Sequence, residues 1–160
     1  MTKALFFLAV LAQAGSVLAQ GGAAPPVPAT DIKSSDIQAA VAKAKASGRD
    51  TAVRVVEAGG QRVGISMTWR EKGRSAGGGT HATVTEVYHV LEGSAMFVIG
   101  GTSVRRDDGG FPIQGGVSRR ISKGDVVIIP AGTPHGMSEV LEDITVIVTR
   151  IDTGGVVPLQ

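Results

Sequence analysis

From Thr51 to Ile151 the chain is a succession of short runs rich in Val, Ile and Thr, nearly every one cut off by glycine. Branched side chains restrict χ1 and pack well on a pleated surface, so such runs favour strands over helices. The runs are Thr51–Glu57, Arg62–Trp69, Glu86–Leu91, Ala95–Ile99, Val117–Ser122, Asp125–Ile129 and Ile144–Ile151. Glu92-Gly93-Ser94 and Lys123-Gly124 fall between consecutive runs and predict two hairpin turns. Residues 100–116 (GGTSVRRDDGGFPIQGG) break the rhythm and read as one long Gly-rich loop. Many short strands with glycine punctuation predict an all-β, antiparallel domain closed into a barrel or folded into a sandwich.

The front of the chain has a different texture. Lys3 precedes an apolar run from Ala4 to Ala14, and Val17-Leu18-Ala19 follows. That is the order of a secretory signal peptide, here residues 1–19. The run falls short of the roughly 20 apolar residues that a membrane-spanning helix needs. Cleavage after Ala19 would leave a mature chain that starts at Gln20, lies outside the cytoplasm (secreted or periplasmic) and has no membrane segment. Residues 20–33 are small, Gly-rich and Pro-rich at their start and read as a linker. Residues 34–48 read as one short helix. Ser34 or Ser35 can cap it, Ile37, Ala40, Val41 and Ala44 form a thin apolar stripe, and Gly48 stops it. Residues 51–152 are then the barrel.

Composition removes several kinds of chemistry. A length of 160 residues suits one domain with its own core. The absence of cysteine excludes thiol catalysis, disulfides, Cys-ligated zinc and iron–sulfur clusters. Sixteen basic against fourteen acidic side chains give a net charge of +2, too even a balance to imply nucleic acid. Arg105-Arg106 and Arg119-Arg120 are the nearest things to basic clusters, and they read as solvated strand ends and loops.

Only three histidines exist, His81, His89 and His135. Glu86 is followed after six residues by Gly93 (EVYHVLEG). Gly124 opens a second frame, GDVVIIPAGTPH, which ends on His135. Together these resemble the two sequence motifs of the cupin superfamily, over roughly Thr51 to Ile151. The second motif matches through its histidine, and Glu139 stands where the family usually has asparagine. In the first motif, metal-binding members offer His-x-His, a gap of three or four residues, then Glu. Counting back across four residues from Glu86 reaches His81, and the other histidine position is Gly79.

The resemblance implies a single-domain jelly-roll antiparallel β-barrel with one short N-terminal helix. It also implies a metal held by His81, Glu86 and His135, and pairing of barrel faces into a homodimer. Two imidazoles and a carboxylate suit a divalent ion such as Fe, Mn, Zn or Ni. Three protein ligands leave positions open for water, a small-molecule ligand or a substrate. Both rings must be neutral to bind, so affinity should weaken toward the ordinary histidine pKa of about 6.5.

Strand parity adds a condition. Glu86, Tyr88 and Val90 share one face and His89 points to the other. His81 lies an odd number of residues from Glu86, so a break within Ala82–Thr85 is required to bring the two together. Tyr88 is a candidate to line the pocket, with a core aromatic as the alternative. His89 reads as a partly exposed or interface residue, and Trp69 as core. The residues leave three functions open: a metal-binding module that holds a small ligand, a metal-dependent dioxygenase or isomerase, and a non-catalytic protein with a residual site. Beside the three ligands, only Tyr88 and Glu139 are candidates for acid–base work.

Overall fold

A computed structural model describes residues 29–58, 61–74, 77–105 and 112–154. The signal-peptide segment, most of the linker, and Arg106 with the acidic pair Asp107-Asp108 lie outside the described residues.

Helix α1 runs Ser34–Ser47 and presents the expected stripe, with Ala40 and Ala44 buried. Small side chains on that face let the helix lie close against the first two strands, β1 (Thr51–Ala58) and β2 (Gln61–Arg70). The start differs from the serine cap expected. Lys33 takes the cap position, and its backbone N–H donates to the Asp36 carboxylate at 3.2 Å. That carboxylate also lies in the first turn, where the helix dipole favours negative charge. Gly48, in the left-handed conformation, ends the helix and donates to the Ala44 carbonyl at 2.9 Å.

Seven further strands follow in chain order: β3 (Gly77–Gly79), β4 (Val84–Ile99), β5 (Thr102–Ser103), β6 (Ile113–Gln114), β7 (Val117–Ser122), β8 (Val126–Ile129) and β9 (His135–Asp152). All pairing is antiparallel. The main sheet runs β1-β2-β9-β4-β7, with β3 on β9 and β8 on β4. A jelly-roll-like β fold results, held together by two long strands, β4 and β9.

Neither expected hairpin forms. Glu92-Gly93-Ser94 is a bend inside β4, and the register with β9 shifts on both sides of it. Inward residues before the bend are Val84, Glu86 and Val90, and after it Ala95 and Phe97, so the inward parity switches from even to odd. β9 switches too, from His135 and Met137 to Ile144, Val146 and Val148. Lys123-Gly124 is likewise a corner. β7 pairs with Ser94–Ile99 and β8 with Glu86–His89, so the two act as one bent strand along β4. Across this corner Gly124 N–H donates to the Val90 carbonyl and Lys123 N–H to the Gly93 carbonyl. Two other expectations are corrected. The last strand begins at His135 rather than Ile144, because its first residues find backbone partners on both sides, in Phe97–Ile99 and in Gly77–Gly79. Within 100–116, β5 and β6 form a two-stranded ribbon.

The core lies between the inward faces around the two bends, with Val90, Phe97, Ile121, Ile129, Ile144 and Val148 fully or nearly fully buried. Side chains of this kind contribute about 1.5–3 kcal/mol each on burial.

Candidate metal centre

Glu86 sits in the first half of β4, pointing inward, and is fully buried. A carboxylate in that position demands partners, because an unpaired buried charge is costly. Three surround it. His135 opens β9, and its Nε2 lies 2.7 Å from Glu86 Oε2. His81 Nε2 lies 3.9 Å from the same oxygen. Arg150 Nε donates to the other oxygen, Oε1, at 2.6 Å.

The chain breaks strand pairing just before β4, and β4 itself begins at Val84. This break meets the parity condition and turns His81 toward Glu86. The second motif then locks the first in place: Gly132 N–H donates to the His81 carbonyl at 2.8 Å, and Ala131 N–H to Thr85 Oγ1 at 3.3 Å. His81, Glu86 and His135 thus come together, one ligand atom from each lying within 4.8 Å of the others. The His81 and His135 ring centroids are 5.8 Å apart.

The tautomer of His135 is fixed from behind. Its Nδ1 lies 2.9 Å from the Thr133 carbonyl, which can only accept, so Nδ1 carries a proton and Nε2 faces Glu86. Glu86 Oε2 is buried, and the nitrogen nearest to it is His135 Nε2 at 2.7 Å. Two lone pairs at that separation repel, so a proton or a cation has to sit between them. Metal bonds of about 2.1 Å meeting at right angles place donor atoms about 3 Å apart. The observed 2.7 and 3.9 Å bracket that value, so small side-chain rotations bring all three donors onto one ion. The donor set and its geometry therefore fit a divalent metal.

Electrostatics separates the two rings. Burial depresses the pKa of His81 more than the Glu86 charge raises it, which keeps His81 neutral and ready to donate a lone pair. Burial also disfavours charge on His135, but contact with Glu86 and the Thr133 carbonyl outweigh it and raise its pKa. Burial would raise the Glu86 carboxyl. The His135 contact and the Arg150 charge together overcome it and hold the group below its ordinary range.

Tyr88 lies on the Glu86 face, with its ring edge-on to His135 at 6.0 Å and tilted against Phe97 at 5.4 Å. Burial raises its phenol pKa, so it stays protonated at neutral pH. It packs on the core, with one edge of that packing against the His135 ring. His89 points out to solvent. Glu139 is exposed, and Trp69 is only partly buried.

Sequence reasoning missed the residues behind Glu86. Arg150 stands directly across from Glu86 in the β4–β9 register. Its Nη1 donates to Ser66 Oγ at 2.9 Å, and its Nη2 lies 3.6 Å from Asp50 Oδ2. Asp50 is held in turn by Arg70 at 2.8 Å. The available signal was a charged residue in phase with Ile144, Val146 and Val148, the buried face of an apolar strand.

No family model matches the chain. No curated protein sequence matches it. Among solved structures it is similar to the DMSP lyase DddQ from Ruegeria pomeroyi (21% identity, TM-score 0.46, 61% of this chain and 42% of that one). It is also similar to KdgF from Halomonas sp. (16% identity, TM-score 0.46, 65% and 78%). A third is the Cnp3 cupin domain of Schizosaccharomyces pombe (13% identity, TM-score 0.44, 64% and 61%). The matched region spans less than two thirds of DddQ and of the Cnp3 domain. Two glycine-framed motifs are folded onto adjacent strands of an antiparallel, jelly-roll-like sheet, so that His135 of the second meets Glu86 of the first.

Proposed function

We propose that this protein is an exported metallo-cupin that holds one divalent ion through His81, Glu86 and His135 and offers the remaining coordination positions to a small-molecule ligand. The observation that carries this reading is the convergence of the buried Glu86 Oε2 with two imidazole nitrogens, all three ligand atoms lying within 4.8 Å of one another. Fe, Mn, Zn and Ni all suit two imidazoles and a carboxylate. A bound ion would act as a Lewis acid that polarises an oxygen donor of the ligand. The protein supplies the rest. His135 is held in one tautomer by Thr133, Glu86 is anchored by Arg150, and Tyr88 keeps its phenolic proton. Entry is supported on the His81 side, since its side chain is 36% exposed while those of Glu86 and His135 are nearly sealed. Export is supported by the Lys3, apolar run and Val17-Leu18-Ala19 order.

Metal analysis tests the central claim. Wild-type protein should carry close to one equivalent of ion. His135→Ala and Glu86→Gln should lose it while remaining folded. His89→Ala should keep it, because that ring lies on the opposite face. Equal loss in the His89 and His135 variants would reject the site. Oxygen uptake by the loaded protein with a small organic acid or phenol would move the reading from ligand binding to a dioxygenase.

A further inference from the structure

We infer that Arg150 is a positioning residue that makes Glu86 a one-oxygen donor, and that Asp50 and Ser66 set Arg150. The inference rests on the metal-binding reading and concerns how the ligand is aimed.

A free glutamate offers an ion either oxygen or both. Here Nε of Arg150 takes Oε1 at 2.6 Å, leaving Oε2 alone to face the two rings. The guanidinium is itself fixed from three directions. Nε reaches Glu86 on β4, Nη1 reaches Ser66 on β2, and Nη2 approaches Asp50, two residues beyond the glycine that ends α1. Ser66 is buried, and the Arg150 side chain is 13% exposed. Asp50 cannot drift far, since Arg70 holds its other oxygen at 2.8 Å. A chain of contacts thus runs from the end of the helix, through a planar fork, to a single carboxylate oxygen. Lysine carries the same charge but has no fork, so it cannot make these three contacts at once. Two carboxylates, Glu86 and Asp50, flank Arg150, so its charge is largely balanced without help from an ion.

Cobalt(II) provides the test, because its visible absorption reports the number and type of donors. Wild-type protein, Arg150→Lys, Arg150→Met, Asp50→Asn and Ser66→Ala would be titrated with cobalt against a competing chelator, with near-ultraviolet circular dichroism to check folding. Both Arg150 variants should bind cobalt about 10- to 100-fold more weakly, with an altered absorption band as Glu86 changes its mode of binding. Asp50→Asn and Ser66→Ala should shift the band and the affinity in the same direction by a smaller factor. Arg150→Lys with wild-type spectrum and affinity would overturn the inference. Should the Arg150 variants not fold, unchanged spectra in both Asp50→Asn and Ser66→Ala would overturn it equally. If the wild-type protein takes up no cobalt, the metal-binding reading itself fails and this inference falls with it.

Discussion

Gly79 faces His135 directly across the β3–β9 ladder, and opposed residues in such a pair point to the same side. A Cβ built on Gly79 meets nothing within 4 Å, and its backbone is not in the left-handed region. Glycine is therefore not required there by conformation. Gly79→His should fold and add a nitrogen donor beside His135, and competition titration should show tighter metal binding than wild type. Unchanged affinity in a folded variant would show that position 79 does not look onto the ion. The titrations of His135 and Glu86 give a second test, with opposite signs. In metal-free protein the raised pKa of His135 contributes stability that is full below its ordinary value of 6.5 and lost as pH rises through the folded value. The lowered pKa of Glu86 contributes stability that is full above its ordinary value of 4.5 and lost as pH falls through the folded value. Thermal stability without metal should thus peak between those limits. The increment added by metal should instead grow as pH rises through the His135 titration, since the ion must displace that proton. A metal increment independent of pH from 5 to 8 would contradict this (roughly the range in which histidine titrates). At this scale the convergence of His81, Glu86 and His135 was legible because their spacing is local to two motifs. Arg150 and Asp50 were not, because their roles depend on partners 64 and 100 residues away along the chain.

The elements were legible as strands but not as connections. Gly93 and Gly124 look like hairpin turns, since glycine between two β-rich runs is the usual turn signal. What decides between a turn and a bend is whether the flanking runs pair with each other, and here both pair with a third strand. Gly93 has φ +75°, and a Cβ on it would overlap the Asp143 carbonyl where β9 crosses the bend. Gly124 has φ +90° but open space around it. Both glycines are needed by conformation, but only Gly93 is needed for room. Gly124→Ala should cost about 1–2 kcal/mol, the strain of a left-handed residue alone. Gly93→Ala should cost about 3 kcal/mol or more, because the bend must open and shift the parity of Ala95 and Phe97. Denaturant unfolding of the two variants, compared at equal slope, measures the difference. Equal losses would mean that the crossing relaxes freely. The helix was legible in its extent and buried stripe, because its period of apolar residues is written in consecutive turns, but not in its cap, which is Lys33 rather than a serine.

For the molecule as a whole, the main sheet ends among the described residues on β1 and β3 at one side and on β7 and β8 at the other. β8 pairs only with β4, and its outward Val126 and Ile128 are 57% and 65% exposed. Branched apolar residues on a free edge invite pairing with another strand. Light scattering should give a homodimer, and Val126→Asp with Ile128→Asp should give a monomer. A monomeric wild type would reject this arrangement. The overall architecture was legible because strand composition and the two motifs agree, and the length of β4 and β9 was not, because their bends hide inside glycine.

The register between those two strands has one more consequence. β4 begins opposite Asp152 and ends opposite His135, so it cannot be paired along its length until nearly the whole domain has been made. Pairings this distant in sequence form late and slowly. Glu86 pairs with Arg150 near one end of that ladder and His135 with Ile99 at the other, so the two meet only once both bends are in place. On the proposed reading, loading would belong to the compartment in which the fold is completed, and the ion would reflect what that compartment supplies more than the intrinsic preference of the donors. A chain carried unfolded across a membrane would draw its metal from the far side.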